Sequence, residues 1–81
     1  MINMRRTSLA ELPTNEHAII LSFANGRPET NRLVSLGFTP GANVDMTQNY
    51  GHGPLIVTVR GTRVALGRME ASKIFIKRDR E

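Results

Sequence analysis

The sequence predicts an all-β fold, a small β-barrel into which one short α-helix is inserted. The chain has only 81 residues, which is enough for one domain with a single core. Along most of the predicted strands apolar residues alternate with polar ones, as they do in strands that are buried on one face. Residues 32–41 interrupt these strands with the sequence R-L-V-S-L-G-F-T-P-G, which is typical of a helix followed by a turn.

Two elements are predicted before this helix. Ser8 can cap a single helical turn over residues 9–12, because its hydroxyl can accept a hydrogen bond from a backbone N–H of that turn. Residues 16–23 form the first strand, and both of its faces are apolar. We therefore expect this strand to be central in the sheet or covered on both sides. A turn is expected at Asn25-Gly26.

The inserted helix is marked at both ends. Pro28 is expected in its first turn, where the missing N–H of proline costs nothing. Leu33 and Leu36, three residues apart, form its buried stripe. Gly37 is expected to end the helix in the left-handed conformation, and residues 39–41 place proline and glycine in the middle of a type II turn.

Four further strands are predicted over residues 42–49, 55–60, 62–66 and 73–77. Gly61 marks a tight hairpin, and residues 67–72 make about one helical turn. Closing five short strands into a barrel largely removes exposed sheet edges. Strand number and order therefore predict an SH3-like barrel, with leucines at positions 9, 12, 33 and 36 covering its open ends. The alternative is a five-stranded OB barrel, whose strands tend to be longer.

The predicted domain covers residues 8–78, between a flexible N-terminal tail (1–7) and a C-terminal tail (79–81). The chain contains no cysteine, which excludes disulfides and thiolate metal sites and is consistent with a reducing cytosol. Residues 1–10 lack the apolar run of a signal peptide or membrane span. We therefore expect a cytoplasmic protein.

The net charge is +4, and nine of the eleven basic residues are arginines. This charge indicates a nucleic acid or an acidic protein surface as partner. It also fits an ordinary solvated surface, because arginines and acidic residues are interspersed. Like charges form no long run, however, and aromatic residues make up only 5% of the chain. A base-stacking surface is therefore difficult to build, and nucleic acid is not the expected partner. A basic module that binds nucleic acid is kept as the alternative function.

The sequence predicts no enzyme and no cofactor. It offers no serine in a nucleophile-elbow context and no patterned pair of carboxylates. His17 and His52 are far apart and lack the spacing of metal ligands, so no metal site is expected. Direct metal handling through His52 remains an alternative.

The remaining candidates are exposed residues on loops, which are the usual place for binding residues on a rigid barrel. They are candidates for partner binding, although each also fits an ordinary solvated loop. The set consists of Arg27, Arg32, Tyr50, His52, Arg60 and Arg63.

Five segments of the chain, taken in order, resemble the FeoA family. They are the leading turn at residues 9–12, the R-L-x-x-L-G-hydrophobic-x-P-G segment at 32–41, the hairpin pair at 53–57 and 61–67, and the closing strand at 71–76. The resemblance implies a small cytoplasmic SH3-like protein of bacterial ferrous iron uptake that performs no catalysis. It also implies that the partner is the cytosolic part of the membrane iron transporter FeoB.

The same domain resembles the C-terminal SH3-like module of iron-dependent repressors. This resemblance implies a regulatory role as an alternative. The chain is predicted to lack a helix-turn-helix segment, so that such a role would need another polypeptide.

Overall fold

The computed structural model describes residues 6–28 and 30–78. These residues form one six-stranded antiparallel sheet, with two short α-helices and one 3-10 turn. The strands follow the spatial order β1-β6-β2-β3-β4-β5. In chain order the elements are β1 (Thr7–Ser8), the 3-10 turn (Leu9–Glu11), β2 (His17–Phe23), α1 (Asn31–Leu36), β3 (Asn43–Gln48), β4 (Leu55–Val59), β5 (Thr62–Leu66), α2 (Arg68–Ser72) and β6 (Ile74–Arg78).

The five predicted strands and the inserted helix are all present, and several strand ends differ from the predicted ones by one residue. Two further differences concern the N-terminal segment and the start of α1. Thr7, assigned to the N-terminal tail from the sequence, pairs with Ile76 in the short strand β1. Pro28 lies upstream of α1 and not in its first turn, because Thr30 is the residue that caps the helix. Residues 1–5 and 79–81 of the two predicted tails lie outside the described residues. No helix in the described part of the chain is long and apolar enough to cross a membrane.

Local hydrogen bonds define both ends of α1. The hydroxyl of Thr30 accepts a hydrogen bond from the N–H of Leu33 at 3.4 Å. At the other end Gly37 has a φ of 99°, and the N–H of Phe38 donates to the carbonyl of Leu33 at 3.0 Å. Leu33 and Phe38 are completely buried, whereas Leu36 is only partly buried against the core. The predicted glycine end of the helix is therefore confirmed.

A type II turn connects α1 to β3, as the sequence predicts. The N–H of Ala42 donates to the carbonyl of Thr39 at 3.0 Å, and Gly41 has the positive φ of 90° that this turn requires. The N–H of Gly41 also donates to the carbonyl of Ile20 at 2.7 Å. The connection is therefore fixed to the middle of β2.

A single apolar core lies on the inner face of the sheet. Val44 and Met46 of β3 face it, and so do the alternate residues of β4, β5 and β6. Leu9 and Leu12 enter this core from the 3-10 turn, and Leu33 enters it from α1; all three are completely buried. Their predicted positions over the core are confirmed.

Strand β2 is central, as expected, but it is covered on one side only. Ala18, Ile20 and Phe23 face the core, and a β-bulge between Ile20 and Ser22 shifts the alternation so that Phe23 turns inward. Ile19 is 39% exposed and Leu21 is 51% exposed. The first of the two expected arrangements, a central strand, is therefore confirmed, and the outer face of β2 is left partly exposed.

We expect Gly37→Ala to destabilise the fold by about 1–2 kcal/mol, because an L-residue is strained at this positive φ. The new methyl group would also collide with the side chain of Arg60. Gly41→Ala is the matched control, since its φ is 90° and the space around it is open. Urea unfolding should show the larger loss for Gly37→Ala. Equal losses would contradict the close approach of Arg60.

Candidate partner-binding surface

The strand register places the predicted binding residues at two opposite ends of the sheet. Val44 pairs with Val59 and Phe23 pairs with Ile74, so α1 and the β4–β5 hairpin lie at the same end, which we call the helix end. The loop of residues 49–54 and the start of β2 lie at the other, the loop end.

The six predicted residues therefore do not form one rim. The helix end carries Arg27, Arg32 and Arg60, and Arg63 follows on the adjoining part of β5. The loop end carries Tyr50 and His52.

Arg60 is fixed against the end of α1. It occupies a two-residue hairpin turn in which both Arg60 (φ 50°) and Gly61 (φ 78°) have positive φ, as in a type I′ turn. Its Nε donates to the carbonyl of Gly37 at 3.4 Å, and another guanidinium nitrogen donates to the hydroxyl of Thr39 at 3.3 Å. The positive charge is thus held beside the last carbonyls of the helix, which is a favourable position.

Arg32 connects α1 to α2. Its guanidinium lies 3.3 Å from the carboxylate of Glu70. An exposed ion pair of this kind adds little stability, but it orients the arginine. Val34, 49% exposed, is on the same helix. The helix end therefore combines oriented arginines with one apolar side chain.

Asn49 organises the loop end. Its side-chain amide donates to the carbonyls of Ala10 at 3.1 Å and Leu12 at 2.8 Å. Its own N–H donates to the hydroxyl of Thr14 at 2.8 Å. Its side-chain oxygen accepts from the N–H of Gly51 at 3.0 Å and from the guanidinium of Arg68. The base of the loop is thus tied to the 3-10 turn and to α2.

Two large side chains are exposed around this anchor. Tyr50 follows Asn49 in the loop, and Met69 follows Arg68 in α2; both are highly exposed. His52 is exposed at the loop tip, between Gly51 and Gly53, which both have positive φ. The loop end therefore presents an aromatic and a thioether side chain on a fixed base.

Sequence reasoning missed Asn49, which resembles an ordinary residue of a glycine-rich loop. It also missed a pair on the outer face of the sheet, where Nδ1 of His17 lies 2.6 Å from the carboxylate of Asp45 on the neighbouring strand. Within residues 6–28 and 30–78, no group of three or more histidine, aspartate or glutamate side chains is suited to hold a metal ion.

Comparison with known proteins gives consistent matches over almost the whole chain. A family model described as FeoA domain matches residues 7–78. A Methanocaldococcus jannaschii protein, provisionally named Fe(2+) transport protein A, is 32% identical over 69 residues, which represent 85% of this chain and 83% of that protein.

Solved structures give the same result. Stenotrophomonas maltophilia FeoA complexed with zinc, described as an SH3 domain protein, is 35% identical with a TM-score of 0.74, covering 88% of this chain and 89% of that one. An iron uptake regulatory protein (FeoA) is 29% identical with a TM-score of 0.79, covering 93% and 99%. These similarities confirm the predicted SH3-like barrel. Manganese-dependent transcriptional repressors, 15% and 16% identical, share the fold alone.

We expect Asn49→Ala to lower the free energy of unfolding by about 2–3 kcal/mol, because it removes several hydrogen bonds and leaves partly buried groups without a partner. Asn43→Ala is the matched control: the residue type is the same and Asn43 lies at the opposite end of β3, but it is exposed. Its effect should stay within about 0.5 kcal/mol. Urea unfolding measures both values, and a similar loss in the two variants would contradict the anchoring role of Asn49.

Proposed function

Because this chain belongs to the FeoA family, we propose that it is an accessory protein of ferrous iron transport that binds the cytosolic part of an FeoB-type membrane transporter and catalyses no reaction itself. The family match over residues 7–78 carries this proposal. The names of two relatives support it. The Methanocaldococcus jannaschii protein is provisionally named an Fe(2+) transport protein, and Stenotrophomonas maltophilia FeoA is described as a candidate activating factor of bacterial ferrous iron transport.

The helix end is the surface that we assign to this partner. Arg27, Arg32, Arg60 and Arg63 lie there on or beside elements that the core holds in place. Arginine forms forked hydrogen bonds with carboxylates. Glu70 orients Arg32 and the carbonyl of Gly37 orients Arg60. This orientation reduces the entropy that the side chains lose on binding. Such a surface is complementary to an acidic face of a protein.

The placement of the aromatic side chain favours a protein over a nucleic acid as the partner. Proteins that bind single-stranded nucleic acid place aromatic side chains along the basic groove so that bases can stack. Here Tyr50 lies at the loop end, opposite to Arg32 and Arg60, and the arginine beside it, Arg68, is bound to Asn49. We therefore keep the cytosolic part of the membrane transporter as the partner, and the chain would reach the membrane only through it.

Two variants with the same net charge test the binding surface. Arg27→Gln with Arg32→Gln removes two positive charges from the helix end, whereas Tyr50→Glu with His52→Glu adds two negative charges at the loop end. Each lowers the net charge from +4 by two. We expect the first to weaken binding to the purified cytosolic part of the transporter about tenfold. The second should leave the affinity unchanged. Isothermal calorimetry measures both.

The salt dependence of the wild-type affinity is a further control, because binding through exposed arginines should weaken as salt is added. Failure of the wild-type protein to bind at about 50 μM would reject the proposed partner. If only the loop-end variant weakened binding, the transporter would still be the partner, but the helix end would be rejected as the binding surface.

A further inference from the structure

A second exposed surface lies on the outside of the sheet, away from both ends. Ile19 and Leu21 project outward from β2. Phe75, half-buried, projects outward from β6, where it pairs with Ser22 next to Leu21. These three apolar side chains, which we call the β2–β6 outer face, are neighbours along one strand or across two.

The apolar character of this face is local. The outward positions of β3 are occupied by the polar residues Asn43, Asp45 and Thr47, which is the usual composition of the solvated face of an antiparallel sheet. On β2, His17 lies opposite Asp45, but Ile19 lies opposite Asn43, and Leu21 follows Ile19 on the exposed face. Such a strand is typical of burial on both faces, and the described chain covers only one.

Two basic side chains lie beside this face. The guanidinium of Arg6 lies over the ring of Phe75, 5.0 Å from its centroid, and Lys77 is exposed and pairs with Ile19. The nearby carboxylates already have partners. Glu11 accepts a hydrogen bond from the N–H of Ser8, which pairs with Phe75. Asp45 contacts His17, and Glu16 accepts hydrogen bonds from Arg78.

We propose that the β2–β6 outer face is a docking surface for an acidic amphipathic helix of a partner protein. Helices pack against sheet faces through an apolar stripe, and such a stripe would cover Ile19 and Leu21. Carboxylates beside the stripe would meet Lys77 and Arg6. The proposal rests on this face alone and not on the proposed function, which uses the helix end.

Two other occupants fit the face less well. A second copy of this chain would bring Lys77 and Arg6 against like charges, which is unfavourable across an interface. A membrane surface would require apolar side chains that protrude into the lipid. Ile19 is only 39% exposed and lies within a sheet face.

The probe is a synthetic peptide of about five helical turns, with leucine along one face and glutamate on both flanks. The full-length 15N-labelled protein is titrated with it and followed by NMR. We expect amide shifts concentrated at residues 19–22 and 75–77. The same peptide with lysine in place of glutamate should bind at least about tenfold more weakly. Absence of shifts at about 1 mM peptide, or shifts confined to α1 and α2, would overturn the proposal.

A pair of variants locates the binding. Leu21→Gln should lower the affinity for the acidic peptide about tenfold, because it removes an apolar contact. Val34→Gln is the matched control, since Val34 is 49% exposed and Leu21 is 51% exposed. Val34→Gln should leave the affinity unchanged, and thermal unfolding should show both variants folded. An equal loss in both variants would overturn the location.

Two further measurements examine the other occupants. Sedimentation equilibrium should show a monomer. If it showed a dimer that Leu21→Gln abolishes, the occupant of this face would be a second copy of the chain and not a partner helix. Vesicles of phosphatidylglycerol should not retain the protein on sedimentation. Retention that Leu21→Gln abolishes, without binding of the acidic peptide, would instead assign the face to membranes.

Discussion

The burial of Leu33 and Phe38 in the core of the sheet is the interaction on which the rest of the structure depends. Helix α1 has only six residues, too few to be stable alone in water. These two side chains hold it against the core from either side of Gly37. The positions of Arg32 and Arg60 follow, because one lies on this helix and the other contacts the carbonyl at its end.

Asn49 has the corresponding role at the opposite end. It connects the start of a glycine-rich loop to the 3-10 turn and to α2, whose own contact through Glu70 leads back to α1. A domain of this size has a small core and little stability to spare. Polar contacts of this kind therefore contribute a large share of the order at its surface, and they connect the loop end to the helix end through α2.

Features encoded locally were predictable from the sequence. The alternation of apolar and polar residues predicted the strands. Gly37 and Gly41 predicted the end of the helix and the turn, because the positive φ at these positions favours glycine. Strand β1 was missed because two residues carry no periodic pattern. For β2 the sequence left two arrangements open, a central strand or one covered on both faces, because a sequence cannot show whether a second layer exists.

The candidate site was less predictable than the fold. The residues were chosen one by one on separate loops, and only the strand register shows that Arg27 and Tyr50 lie at opposite ends. The contacts of Asn49 with Ala10 and Leu12 bridge 39 and 37 positions, and the His17–Asp45 pair bridges 28. No local pattern records such separations.

Native-state amide hydrogen exchange tests the seating of α1 most directly. The N–H of Phe38, bonded to the carbonyl of Leu33, should exchange only through openings whose free energy lies within about 1 kcal/mol of global unfolding. Amides of β3 and β4 provide the reference in the same experiment. Exchange of the Phe38 amide near the rate of an unstructured chain, with the strand amides still protected, would contradict the account.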